Sequence, residues 1–566
     1  ALLAATALAD DAIARRTGYL EQLRRLLPES KAWTGWIEES GELPPDFEAM
    51  PASAALPDPL ERDGARITTP EAWAEHRETL KALLAQWVIG TAPPTPDHIE
   101  AAVLEEWREE GCTVREVELR FGPEHRARLW CEVMVPDGDG PFPVFMTQHN
   151  HRAWALIALQ RGYLACVYAG ADTRDDTDTF LEAYPGYDWS RLTRRAWAAG
   201  RCIDYLETVP QADARRVAIT GHSRNGKQSL IASALDERFA AVISSSSGAG
   251  GSMPTRLYSE QQYGEGIEFI TRNFPEWFHP RWRFFVGHED RLPVDLRTPV
   301  ALSAPRPCLI STALNDNVDS VWAGEQAYHA VKPVYALFGA EDKLRILYRP
   351  GGHETWPTVI ERYIDWCDAQ FGRGAYAFPE RLIHPYDWET WRARARTAPD
   401  PAAYPERTID ELMHDMWAGH SARESFPEYR DEIRAHVRAL LGSPPPKAAN
   451  PGGDYGKEPA HIETLLNRAV PGARLQKQDL VFGEYINADV YAPHKLDLET
   501  GRAPAVLWLH PVSCARGYVM GYRRGEHPFA TVARAGFAVF CYDQIGFGRR
   551  IEEVEGFYDR YPDWSL

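Results

Sequence analysis

Hydrophobic positions change rhythm several times along this chain. An Ala- and Leu-rich opening that runs on through Leu26-Leu27 predicts a helix over residues 1–27. A Pro-rich extended stretch follows, with Pro44-Pro45-Asp46-Phe47 and Leu56-Pro57-Asp58-Pro59-Leu60. From about residue 113, short apolar runs alternate with amphipathic ones. Pro143–Met146, Tyr163–Tyr168, Val217–Thr220, Ala241–Ser244, Cys308–Ser311 and Leu344–Tyr348 have the length and composition of buried strands. Between Leu192 and Glu207, the residues Leu192, Ala196, Ala199, Ile203 and Leu206 keep helical three-four spacing, and a further helix spans about Thr358 to Phe371. Such alternation predicts an α/β fold with a mostly parallel sheet covered on both faces.

The pattern then repeats. Thr397–Arg407 (TAPDPAAYPER) reads as a linker, after which Arg430–Gly442 echoes Arg77–Gly90. Pro504–Leu509 echoes Pro143–Met146, Ala535–Tyr542 echoes Arg161–Tyr168, and Tyr561–Ser565 echoes Tyr184–Ser190. The matches fall in order, which predicts a second copy of one domain. The expected division is an N-terminal segment over 1–112 packing on an α/β domain over 113–396, then linker and helices over 397–456, then the first half of a second such domain over 457–566. A sheet halved there would leave apolar strand edges unpaired, so further residues or a partner chain are expected to complete it.

Composition narrows the function classes. Hydrophobic residues are 44% and charged residues 25%, ordinary for a folded protein. Against 81 acidic residues stand 62 basic ones, a net charge of −19 that disfavours nucleic acid. No run approaches the roughly 18 apolar residues a membrane helix needs. Eight cysteines in 566 residues are too few for a disulfide scaffold. The opening, through Ala7-Leu8-Ala9-Asp10, has the apolar stretch and final Ala-x-Ala of a cleaved leader, so a secreted or periplasmic location is expected, with the cytoplasm as the alternative.

The chemistry concentrates at Val217-Ala-Ile-Thr-Gly221-His222-Ser223-Arg224-Asn225-Gly226-Lys227. A buried strand runs into Gly-x-Ser and a helix begins at once, the pattern of a nucleophile elbow that presents a serine Oγ at the sheet edge. The second glycine falls at Gly226, one place later than the usual pattern. In chain order, Arg349-Pro-Gly-Gly-His353 then supplies a histidine after the last strand, where an α/β-hydrolase carries its general base. The acid is expected between them, after the strand at Cys308–Ser311: Asp316, with Asp319 as the alternative, though Asp319 is placed to cap the helix that follows. The backbone N–H of Arg224 faces the oxyanion position, and His149-Asn150 follows the strand where an oxyanion loop belongs. Asp172, Asp175, Asp176 and Asp178 crowd one loop but lack the Gly and Glu of a calcium hand, so a solvated loop is expected. No metal site and no cofactor are expected. Trp277 is the candidate sugar-stacking platform among nineteen tryptophans.

At these residues the chain resembles the glucuronoyl esterases, α/β-hydrolases among the plant cell-wall carbohydrate esterases, which carry Gly-Cys-Ser-Arg-Asn-Gly-Lys at the nucleophile. Further matches are Ser247-Gly-Ala-Gly-Gly251, Thr271-Arg-Asn-Phe-Pro-Glu-Trp277-Phe, Ala304-Pro-Arg-Pro307, Pro333-Val-Tyr335 with Leu337-Phe-Gly339, and Gly352-His353. The resemblance covers about residues 113–372. It implies Ser223 as nucleophile, His353 as base, the Arg224 side chain as an added oxyanion donor and Lys227 on substrate sugar hydroxyls. Two departures stand out. Ser246 occupies a slot that holds Glu in some members, and Pro293-Val-Asp295-Leu-Arg297 lacks the histidine of the family's Asp-x-His. The reading is a serine esterase acting on a plant cell-wall carbohydrate ester, with a glucuronoyl ester ahead of acetylated xylan. A prolyl-oligopeptidase-like peptidase and a non-catalytic carbohydrate-binding or scaffold protein are the rivals.

Overall fold

The computed structural model describes residues 2–376, except 28, 53–55, 110, 258–264, 296, 314–315, 317 and 350–351, then residue 382, and in a second unit 463–470, 475–482, 486–493, 495–496, 502–509 and 528–543. The chain divides into two units, Ala1–Leu382 and Ile383–Leu566. The linker at 397–407, the echo at Arg430–Gly442 and Tyr561–Ser565 lie outside the described residues.

In the first unit, nine strands form one sheet. They are β1 (Ile99–Glu109), β2 (Cys112–Phe121), β3 (Ala127–Pro136), β4 (Phe142–Gln148), β5 (Leu164–Tyr168), β6 (Ala212–His222), β7 (Phe239–Ser245), β8 (Cys308–Ala313) and β9 (Leu344–Arg349). Their order is β9-β8-β7-β6-β4-β5-β3-β2-β1. Strands β4 to β9 pair in parallel, whereas β1, β2 and β3 join antiparallel at one edge. This is the strand order and mixed direction of an α/β-hydrolase. The sheet begins at β1, ahead of residue 113. That strand is mostly exposed and glutamate-rich, so it carries no alternation for a sequence pattern to catch.

The parallel strands are apolar on both sides because both sides are covered. Val144, Met146, Val217, Ile219, Val242 and Ile310 enter one core, while the intervening Phe145, Ala218, Ala241, Ile243 and Leu309 enter the other. Helices α5 (Arg191–Leu206) and α6 (Arg224–Leu235) pack into the first. Helices α4 (Arg152–Gln160) and α9 (Pro357–Gln370) supply Ala158, Ile360 and Ile364 to the second.

Ahead of the sheet run α1 (Leu2–Leu26), α2 (Lys31–Ser40) and α3 (Pro70–Leu84). Helix α2 stands where extended chain was expected. Ser30 caps it by accepting from the N–H of Trp33, Gly41 ends it at φ 63°, and its buried Trp33 and Ile37 join the core. The Tyr19 hydroxyl of α1 donates to the carbonyls of Phe284 and Val286 at 3.0 and 2.6 Å. No helix among the described residues is long and apolar enough to cross a membrane.

The described residues of the second unit form five strands: β10 (Glu463–Val470), β11 (Leu475–Phe482), β12 (Ile486–Pro493), β13 (Ala505–Trp508) and β14 (Ala538–Tyr542), in the order β10-β11-β12-β14-β13. Helix α10 (Pro528–Arg534) packs Phe529 and Ala533 with Val539 and Cys541 into a core of its own.

Candidate active site

Strand β6 and helix α6 meet at Ser223, whose backbone is held at φ 57°, ψ −125°. A non-glycine residue with positive φ is strained, and the turn is fixed from both sides. The N–H of Ser223 donates to Ser245 O at 2.8 Å, and its carbonyl accepts from the N–H of Lys227 at 3.1 Å. A Cβ at Gly221 would lie 2.5 Å from Asn225 O and from Gln148 Oε1. One at Gly226 would lie 3.0 Å from the carbonyls of Gly221 and Ser245, so the displaced second glycine still serves the close strand–helix approach. Ser223 is half-buried at the first turn of α6, where unpaired N–H groups point outward.

His353 follows β9 and meets Asp316, which follows β8. The His353 Nδ1 lies 3.0 Å from both carboxylate oxygens of Asp316. Burial opposes charge on the imidazole, but the hydrogen bond and charge of Asp316 outweigh it and raise the His353 pKa. Asp316 moves the other way: burial alone would raise its pKa, and His353, the Ser246 hydroxyl and the N–H of Val318 together lower it. The same pairing leaves the His353 Nε2 on the side away from the carboxylate. His222, beside the serine, holds its ring 4.5 Å from that of His353, and its Nδ1 lies 3.1 Å from the hydroxyls of Thr355 and Ser245. The elbow and the histidine loop are thus tied directly together.

Arg349, at the end of β9, is a residue the sequence reading missed. Its guanidinium is buried, donates to the carbonyls of Gly352 and Glu354 on either side of His353, and donates to the Ser246 hydroxyl. It lies 3.7 Å from Asp316 Oδ2. One cation therefore braces both the histidine loop and the acid. Asp319 does not cap the following helix α8 (Val321–Ala336). That cap is Ser320, which accepts from the N–H of Ala323. Asp319 instead accepts from the N–H of Gly248 at 2.6 Å, and burial together with the charge of Asp316 raises its pKa to about 7. Of the two acids, Asp316 is the one that touches the imidazole.

Around this centre the other expected residues take varied places. Arg224 pairs with Asp172, and its guanidinium stands 5.0 Å from the Trp277 ring centroid. Trp277 is only 3% exposed and lies flat on Phe274, centroids 3.8 Å apart, so it is an internal support for Arg224 rather than an open sugar platform. Lys227 is fully buried; its Nζ is 2.8 Å from Glu265 and also bonds Ser247 O, which puts it behind the site surface. Glu265, isolated between glycines in the sequence, gave no signal of this pairing. Asn150 accepts from Asn225 Nδ2 at 2.7 Å, docking its loop on the elbow, whereas His149 turns to Thr173 at 2.9 Å. The acidic loop is not simply solvated. Asp172 and Asp175 pair with Arg195, Asp178 with Arg194, and Asp176 accepts from the N–H of Trp130.

A fungal glucuronyl esterase family model matches residues 123–339. The 4-O-methyl-glucuronoyl methylesterase of Schizophyllum commune is 30% identical over 331 residues, covering 55% of this chain and 80% of that protein. The chain belongs to the glucuronoyl esterase family. It is similar also to the carbohydrate esterase MZ0003 from an unknown prokaryotic organism, at 26% identity over 58% of this chain and 92% of that protein. Among solved structures, a promiscuous CE15 esterase from a marine bacterial metagenome superposes with a TM-score of 0.51 at 24% identity, covering 57% of this chain and 98% of that one. The Solibacter usitatus glucuronoyl esterase gives 0.50 at 24%, over 57% and 100%. This glucuronoyl esterase family member is accordingly a serine esterase with the α/β-hydrolase fold.

Proposed function

We propose that this esterase hydrolyses glucuronoyl esters of plant cell-wall carbohydrate, with Ser223, His353 and Asp316 as its triad. The observation that carries the reading is the strained Ser223 at the elbow beside a His353–Asp316 pair. Ser223 Oγ attacks the ester carbonyl carbon while His353 Nε2 takes its proton. The oxyanion is held by the N–H of Arg224 and by its guanidinium, which must turn from Asp172 to reach it. His353 returns the proton to the departing alcohol oxygen as that C–O bond breaks. Water then attacks the acyl-enzyme by the same route, releasing the uronic acid and restoring Ser223. Arg349 is a positioning residue that holds His353 and Asp316 in register. His149 and Asn150 shape the wall beside the elbow, with no direct oxyanion bond assigned to them. We read the enzyme as secreted, in keeping with a polymeric substrate.

The test is a panel of a glucuronate methyl ester, acetylated xylan, p-nitrophenyl acetate and a prolyl anilide, run beside Ser223→Ala. The expected result is the highest kcat/KM on the glucuronate ester and loss of all turnover in the variant. Preference for acetylated xylan moves the substrate class, anilide cleavage favours a peptidase, and xylan binding without turnover favours a scaffold.

A further inference from the structure

The first unit contains a cavity of about 340 Å³ whose lining includes none of the residues placed in the candidate active site. It lies between helix α3, helix α7 (Thr298–Ser303) and the hairpin Glu61–Arg66. Into it projects Arg297, 2% exposed, whose Nε and Nη1 have no hydrogen-bond partner among the described residues. The carboxylates nearest to it are already committed. Asp295 pairs with Arg256 at 2.9 Å and accepts from the N–H of Thr255, while Asp58 pairs with Arg66 at 2.5 Å and accepts from the N–H of Leu60. On the cavity wall His76 is also buried, and its Nδ1 likewise lacks a partner. A buried guanidinium with two unused donors is costly unless something else accepts from it.

We propose that this cavity is a binding site for the carboxylate of a small sugar acid. Guanidinium donors in one plane match a carboxylate edge-on. The rim decides between a carboxylate and a more highly charged anion. Glu61 and Asp63 stand at the open side with Arg62, which is shared between Asp63 at 3.8 Å and Glu75 at 3.1 Å; the carboxylates outnumber it, so the rim disfavours a phosphate dianion while its oxygens accept hydrogen bonds from the hydroxyls of a sugar. The volume is at the lower end of the range for small-ligand pockets, about 300–1,000 Å³, which suits one or two sugar rings. The site is separate from the triad. The proposal stands on the cavity itself and does not require the ester substrate assigned above.

The probes are D-glucuronate, D-glucose and inorganic phosphate, titrated into the full chain by calorimetry and by thermal melting. D-glucuronate is expected to bind saturably and to raise Tm by a few degrees at about 100-fold excess over Kd. Glucose should give no response, and phosphate a weaker one. Arg297→Met should abolish the glucuronate response at this site while p-nitrophenyl acetate turnover stays within about twofold of the parent. The variant removes a buried unpaired charge, so it should melt no lower than the parent, and lost binding will not reflect unfolding. An unchanged response in Arg297→Met, or equal binding of glucose or phosphate, overturns the proposal. Glucuronate binding that is wholly competitive with ester hydrolysis and survives Arg297→Met also overturns it, and in that case the proposed activity still stands.

Discussion

The two sheets share a plan and part company at one edge. Read inward from the antiparallel side, the first unit runs β1-β2-β3-β5-β4 and the second β10-β11-β12-β14-β13. In each, the first three pairings are antiparallel and the last is parallel. Beyond β4 the first sheet continues to β6, where Val144, Phe145 and Met146 face Val217, Ala218 and Ile219 and are fully buried. Beyond β13 no strand pairs among the described residues, and Leu507 and Leu509 are 59% and 57% exposed. The likeness lies in strand order and pairing direction. The difference shows what the shared strands do not carry: Ser223, Asp316 and His353 all sit on the ends of β6, β8 and β9 or just past them. The common half is scaffold, and the chemistry rides on the other half.

The sharpest way to break this contrast is to disable the first unit and look for what remains. Asp316→Asn is expected to lower kcat on the order of 10⁴-fold with KM little changed, because it removes both charge and tautomer control from His353. A residual rate above about one part in a hundred that also persists in Ser223→Ala would place hydrolysis elsewhere in the chain. A smaller effect concerns stability. Lys227→Met leaves Glu265 buried and unpaired and should cost about 3–5 kcal/mol, read by urea denaturation of the first unit. A cost below about 1 kcal/mol would mean the pair is solvated. The edges themselves can then be compared. Met146→Ala should cost about 2–5 kcal/mol, whereas Leu507→Ala should change stability by no more than about 0.5 kcal/mol. Equal costs would show that Leu507 is covered in the folded protein.

What was legible in the sequence follows the same division. Strands buried on both faces announce themselves as apolar runs, so β4 to β9 could be read directly, and with them the order of serine, acid and base. Strand β1 could not, because an exposed edge rich in glutamate imposes no apolar pattern. Helix α2 was hidden by its shortness beside a Pro-rich stretch, although Ser30 and Gly41 are ordinary capping signals. Side-chain pairing over long separations was the harder problem. Arg349 reads as one more residue of a strand, and nothing local says that it reaches Ser246, 103 positions away. Asp319 looked like a helix cap because an acid stood near a helix start, whereas its partner is the N–H of Gly248, 71 positions distant. Trp277 drew attention as an aromatic near a motif, but its burial depends on Phe274 lying flat against it.

The smallest expected effect tests how the β8 loop, which has no counterpart among the described residues of the second unit, sets the working pH. His353 must be neutral to accept the serine proton. Its pKa is raised, since the hydrogen bond and charge of Asp316 overcome burial and Asp319 adds to them. The acid limb of kcat/KM is therefore expected above the ordinary histidine value of about 6.5. Asp319, held protonated up to about 7 by burial and by the charge of Asp316, ionises in the same range. Asp319→Asn keeps an oxygen for the N–H of Gly248 but removes that charge, so the limb should move to lower pH by a fraction of a unit with its plateau unchanged. Stability gives an independent reading. In the unfolded chain the Asp319 carboxyl ionises near 3.9, whereas in the folded chain it retains its proton to about 7. The parent therefore loses stability as pH rises between those values, and the Asn variant does not. The Tm of Asp319→Asn minus that of the parent should become more positive from pH 4 to pH 8. A flat difference together with an unmoved acid limb would show that Asp319 does not titrate there, leaving Asp316, with the charge of Glu265, to set the histidine.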